Sequence, residues 1–220
     1  MKVRAIITGA TGMVGEGVLM EALNSPDVEQ VLIINRKPSG FSHPKLKEII
    51  HKDFFNISPI ASQLSGYNAC FFCLGVSSVG MDKEEYRHMT YDLTLHVAGI
   101  LARQNPDMTF IYISGAGTDS SEKGRIAWAR VKGKTENDLM KLSFKKAYAF
   151  RPGMMKAAPG AKNTPKIYQY LEWTYPLIKA LAPGSASTLA EVGQAMIKAV
   201  TKGSDKSVLE VKDIIALAKS

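Results

Sequence analysis

Apolar positions along the chain fall into two alternating patterns. Short apolar runs at Val3–Ile7, Val31–Ile34, Leu46–Ile50, Ala69–Leu74, Met108–Ile113 and Ala147–Phe150 have the length and content of buried strands. Between them, Met13–Leu23, Lys83–Arg103 and Arg125–Leu142 carry apolar residues at helical spacing, with a brief helix at Pro59–Leu64. Ser25-Pro26-Asp27, Asn105-Pro106 and Arg151-Pro152-Gly153 punctuate the alternation. Strands alternating with helices of this length predict an α/β fold. The expected form is a doubly wound parallel sheet with right-handed crossovers and helices on both faces.

After Gly153 the alternation lapses. Met154–Thr164 reads as a loop, and Lys166–Leu181 as an aromatic-rich helix, with Tyr168, Tyr170, Trp173 and Tyr175, bent at Pro176. Leu189–Val200 is a helix, Ser207–Val211 a short strand and Ile214–Lys219 a last helix. This tail is too small for a second domain. The expectation is one domain over residues 1–220, with 153–188 a small substrate-side cap over the carboxyl ends of the strands.

The first strand runs into Thr8-Gly9-Ala10-Thr11-Gly12-Met13-Val14-Gly15, and the first helix opens inside that stretch. Strand, glycine turn and helix is the context of a dinucleotide site. Gly9 supplies the tight turn, Gly12 lets backbone approach a pyrophosphate, and Gly15 lets helix and strand pack. The amides at the helix start and the positive end of its dipole then hold phosphates. Thr11, Met13 and Val14 belong to the same cradle.

Composition changes the picture little: 45% hydrophobic and 22% charged residues are ordinary for a globular domain. Charge adds more. The net +8 suits an anionic ligand, but the basic residues are scattered and not interleaved with aromatics, so nucleic acid is not expected. No apolar run reaches the roughly 18 residues of a membrane span, and the strand at residue 3 leaves no room for a signal peptide. Cys70 and Cys73 lie on opposite faces of a strand, which predicts two buried free thiols in a reducing, cytoplasmic setting. No His, Cys or carboxylate spacing argues for a metal.

The glycine stretch, Cys73-Leu74-Gly75, Ile113-Ser114, Val131-Lys132-Gly133-Lys134-Thr135-Glu136 and Phe150-Arg151-Pro152-Gly153 together resemble the atypical short-chain dehydrogenase/reductases, in particular the Tat-interacting-protein-type branch. The resemblance covers about residues 1–155. It implies a Rossmann-like fold and NADP binding. It also implies cofactor contacts from Asp53 and Phe54 (adenine), from Leu74 and Gly75 (ribose), and from Lys132, Pro152 and Gly153. The residues agree in part: where an NAD site carries an acid, the end of the second strand offers Asn35-Arg36-Lys37. A guanidinium at Arg36, with Lys37 beside it, can pair a 2′-phosphate. NADP is therefore expected over NAD.

The catalytic signature departs from the family. Its Tyr-x-x-x-Lys places phenol and ammonium on one helix face. Here the segment reads Trp128-Ala129-Arg130-Val131-Lys132, and an indole N–H does not exchange its proton at useful pH. Gly115 and Ala116 stand where the usual hydroxyl belongs, leaving Ser114 one position early and Thr118 as a fallback. On the long helix, Tyr86, His88, Tyr91, Asp92 and His96 are candidate replacements, and Tyr91, one turn after Arg87, is the one that could face the cofactor. Lys132, Ser114 and Tyr91 are thus the expected catalytic residues. Two functions compete: an NADP-dependent oxidoreductase of a small carbonyl or quinone-like substrate, and a cofactor-binding regulatory protein of weak or no turnover. A small-molecule substrate is the expected partner, and a homodimer is compatible with the sequence.

Overall fold

The computed structural model describes residues 1–165, 172–182 and 184–220. Its strands are β1 Val3–Thr8, β2 Val28–Asn35, β3 Leu46–Ile50, β4 Ala69–Phe72, β5 Thr109–Ile113, β6 Lys146–Arg151, β7 Met154–Lys156, β8 Ala186–Thr188 and β9 Val208–Glu210. The helices are α1 Met13–Asn24, α2 Lys83–Arg87, α3 Leu93–Gln104, α4 Ala127–Leu139, α5 Tyr175–Leu181, α6 Leu189–Thr201 and α7 Val211–Lys219. Seven strands pair in the order β3-β2-β1-β4-β5-β6-β9, all in parallel. This is the Rossmann-like arrangement, and the order reverses between β1 and β4, where a crevice opens at the carboxyl ends.

Alternation along each strand divides the core in two. Ile7, Ile33, Phe71 and Ile111 face α1, α6 and α7, whereas Ile6, Leu32, Cys70, Phe72, Phe110 and Tyr112 face α3 and the 3₁₀ turn Ser58–Leu64. Both faces being covered is why the strands read as apolar runs without alternation. The cysteines follow this rule: Cys70 is buried on one face, half-buried Cys73 packs toward the other, and both are free thiols. Burial raises both, Cys73 to about 12, so neither is a ready nucleophile.

Two expectations are corrected. The long helix from Lys83 is interrupted by a π turn at His88–Asp92, which separates α2 from α3. The stretch from Met154, expected as loop, begins with β7, which pairs with β8 in a separate two-stranded parallel sheet. Pro176 sits in the first turn of α5, directly after a 3₁₀ turn at Glu172–Thr174, where its missing N–H costs nothing. Beyond the expected cap segment 153–188, the helix expected at Leu189–Val200 forms as α6 and packs on α1, and the strand expected at Ser207–Val211 forms as β9 and extends the main sheet beside β6. Gly17 and Gly193 make that helix contact close, since a Cβ on either would stand 2.7 Å from Leu189 or Glu21. The part of the expected cap helix at 166–171, with Tyr168 and Tyr170, lies outside the described residues.

Candidate functional site

The glycine turn lies at the mouth of the crevice. Gly9 has φ +71°, and a Cβ there would also meet the backbone of Cys73 and Leu74 at 2.8 Å. A Cβ at Gly15 would lie 2.2 Å from the Gly9 carbonyl oxygen. These two glycines are demanded by the protein itself. Gly12 is different. It caps α1 in extended conformation with no side chain to occupy the first-turn amides, and a Cβ there would touch only the Gly9 oxygen at 3.4 Å. The space beside Gly12 is therefore open, and the α1 amides with their dipole face it. A phosphate-bearing cofactor fits this cradle. At the opposite lip the Leu74 amide donates to Thr8 Oγ1 (3.3 Å), and a Cβ at Gly75 would meet nothing within 4 Å.

Next to the turn is a cavity of about 650 Å³ lined by Thr11, Arg36, Lys37, Pro38, Ser39, Lys52 and Asn163. Asn35 ends β2 and is buried, with its amide donating to Glu48 Oε1 (2.9 Å), which also takes the Ser39 amide (2.8 Å). Those bonds fix the turn that carries Arg36 and Lys37. Lys52 and Asn163 were missed from sequence. Lys52 follows β3 and Asn163 arrives from the tail, so no local spacing marks either one. Asp53 is exposed and takes the Phe55 amide on Oδ1 (2.9 Å). Phe54, expected at the adenine, is instead buried in the core between the sheet and α3, so its ring is not available to a ligand.

Lys132 extends from α4 to the carboxyl end of β5. Its ammonium donates to the Ser114 carbonyl oxygen. Burial lowers its pKa to about 8, against the opposing pull of Glu136 one turn on. Ser114 does not offer its hydroxyl. The residue is buried, and Oγ donates to the Phe150 carbonyl (3.1 Å), so its catalytic assignment is not supported. Thr118 is spent in the same way on Gly115 (2.8 Å). Tyr91 is also elsewhere. Its hydroxyl donates to Asp138 (2.7 Å), which raises its pKa, and its ring carries Arg87 and Lys134. Lys132 and Lys134 are two residues apart, roughly 200° around a helix of 3.6 residues per turn. Tyr91 therefore lies on the far face of α4 from Lys132.

Trp128 does share the Lys132 face. It is half-buried against Gly117 and lines a cavity of about 380 Å³ with Met81, Tyr86, Arg87 and Val131. Behind the site, Arg151 holds Glu136 through two bonds (3.0 and 2.5 Å) and reaches Glu210 (3.0 Å) and Ser120 (2.5 Å). A Cβ at Gly133 would lie 1.8 Å from the Asp119 oxygen, and one at Gly153 2.3 Å from that of Ser185. Pro152 accepts the Ala116 amide (2.9 Å), joining the loops after β5 and β6.

The model of the NAD dependent epimerase/dehydratase family matches residues 5–125. The chain belongs to that family. Among curated proteins it is 32% identical to "Protein fmp52, mitochondrial" of Aspergillus clavatus over 160 residues, 68% of this chain and 65% of the relative. The Saccharomyces cerevisiae protein of that name is 28% identical over 152 residues, 67% and 64% of the two chains. The match thus spans just under two thirds of these relatives' length. Their names place them in mitochondria, which overturns the expected cytoplasmic location. Among solved structures, the Bordetella bronchiseptica enzyme WbmF in complex with NAD+ superposes with a TM-score of 0.69 at 16% identity, over 99% of this chain and 77% of that one. A short chain dehydrogenase family protein from Francisella tularensis gives 0.68 at 15%, over 96% of both. At such identities the likeness is one of fold.

Proposed function

We propose that the chain binds NADP(H) in the crevice between β1 and β4 and acts as a slow reductase of a small, apolar, carbonyl or quinone-like substrate. Its nearest kin would be the Tat-interacting-protein-type branch. The observation that carries the cofactor reading is the cavity where Thr11 of the glycine turn meets Arg36, Lys37 and Lys52, with Asn35 rather than an acid ending β2. A 2′-phosphate would find paired cations there, and a carboxylate at that strand end would repel it. Bound NADPH supplies a hydride, which is the part of the reaction that needs least from side chains. Gly12 admits the pyrophosphate, and Lys132 would hold the nicotinamide ribose.

An apolar substrate is favoured by the rim of the crevice. Val79 and Ile126 are exposed on the segments that follow the carboxyl ends of β4 and β5. The second reading is cofactor binding with little or no turnover. It is favoured by Trp128 at the proton-donor position and by Ser114 and Thr118, whose hydroxyls are already engaged. Calorimetry with both cofactors tests the first step. NADPH should bind more tightly than NADH, and Arg36→Asp should erase the preference. Loss of a charge-assisted pair, about 1.5–3 kcal/mol, is roughly tenfold to a hundredfold in affinity. Equal affinities in the parent would defeat it. NADPH consumption with a carbonyl panel then separates enzyme from binding protein.

A further inference from the structure

Glu16 stands in the first turn of α1, one residue after Gly15, and is wholly buried. Its two oxygens accept the backbone amides of Lys162 and Asn163, each at 2.8 Å, from nearly 150 residues further along the chain. A buried carboxylate is costly unless hydrogen-bonded, and here two main-chain donors meet it. The tie fixes where the segment after β7 crosses. It passes over the first turn of the helix whose amides face the crevice, and it brings Asn163 to the wall of the Arg36–Lys37–Lys52 cavity. Had the segment needed only an anchor, any helix end would have served. This anchor directly follows the glycine motif, and the residue it delivers lines the proposed phosphate site.

We propose that Glu16 is a positioning residue that holds residues 161–164 as a strap across the cofactor's phosphate end, and that Asn163 is a phosphate-binding residue presented by that strap. The inference rests on the cofactor reading above. Its ligand is the anionic phosphate end of the dinucleotide, to which the Asn163 carboxamide donates alongside the three cations.

Two variants and two readouts test it. Asn163→Ala should weaken NADPH binding about three- to tenfold, the effect of one lost hydrogen bond, and leave NADH nearly unchanged. Glu16→Gln should weaken NADPH to a similar degree, chiefly through faster dissociation in stopped-flow fluorescence. Amide hydrogen exchange of Lys162 and Asn163 should be protected in the cofactor-free parent and in Asn163→Ala, and lost in Glu16→Gln. Were both variants to bind NADPH as the parent does, with Arg36→Asp still impaired, the strap would be a structural tie only and the inference would fail alone. Free exchange of the two amides in the parent would also overturn it. A parent that binds neither nucleotide defeats the cofactor reading and this one together.

Discussion

Lys132 lends itself to a measurement that requires no substrate. Burial lowers its pKa from 10.5 to about 8, so the folded protein holds this proton less tightly than the unfolded chain does. Between those two values the unfolded state binds more protons, and stability must rise with pH. Below pH 8 the full cost of burying the ammonium is present; above 10.5 it has gone. One unit is worth 1.36 kcal/mol, so moving from pH 7 to pH 9.5 relieves about 1.5 units, or about 2 kcal/mol. Other lysines, tyrosines and thiols titrate in the same range, which makes the parent alone uninformative. Lys132→Met keeps the apolar stem and removes the charge. Its loss of the bond to the Ser114 carbonyl is a penalty independent of pH. The stability difference, parent minus variant, should therefore move about 2 kcal/mol in the parent's favour between pH 7 and 9.5. Urea unfolding at both pH values, with unchanged m-values, measures it. A difference that stays constant within about 0.5 kcal/mol would mean that the ammonium is solvated, and the reading of Lys132 as a desolvated crevice group would be wrong.

Other outcomes follow from the same geometry. Gly12→Val should fold normally, because its backbone is extended and its Cβ touches only the Gly9 oxygen, yet it should abolish NADPH binding in calorimetry. Gly15→Ala should instead lower the unfolding midpoint, since its Cβ would stand 2.2 Å from that oxygen. Glu136→Gln should destabilise the fold by about 3–5 kcal/mol in urea unfolding, by leaving the buried Arg151 guanidinium short of its main counter-charge. NADPH turnover on ketones should be very low in the parent, because a general acid contributes typically 10²–10⁴-fold. Trp128→Tyr should raise it and Trp128→Phe should not. A rate equal to that of ordinary reductases, lost in Tyr91→Phe, would show a proton donor on the far face of α4 and contradict the bond to Asp138.

The sheet was legible because strands buried on both faces write themselves as apolar runs, and because the glycines between β1 and α1 have a steric reason for their spacing. The tail was legible in part. The strand expected at Ser207–Val211 and the helices expected at Leu189–Val200 and Ile214–Lys219 form as β9, α6 and α7, whereas β7 and β8 are three residues each, have no period of their own and become strands by pairing with one another. The π turn at His88–Asp92 hides inside an unbroken helical pattern. At the site, Arg36 and Lys132 could be placed by counting from a motif. Lys52 and Asn163 could not, because topology rather than spacing brings them to Thr11. Phe54 and Tyr91 were misplaced for a related reason: sequence names the element a side chain leaves, not the face into which it turns.

The segments most useful for seeing kinship prove to be scaffolding, and this bears on how the chemistry could drift. Gly133 admits the loop at Asp119 against α4, Gly153 admits Ser185, and Arg151 ties Glu136 of α4 to Glu210 of β9. Each is buried in contacts that a substitution would break at once. Trp128 is bound by no such contact. It is half-buried, and its ring lies against Gly117, which offers no side chain. A proton donor at that position can therefore be exchanged for an indole without disturbing the brace behind it. Lys132, on the same helix face, is retained at the cost of burying a charge. That cost is hard to explain by packing, since a methionine would fill the space without it. It is explained if the ammonium has a ligand to hold. A buried ammonium beside an indole at the position of the signature's tyrosine is what the proposed reading expects: a site able to hold a cofactor and poorly equipped to move a proton.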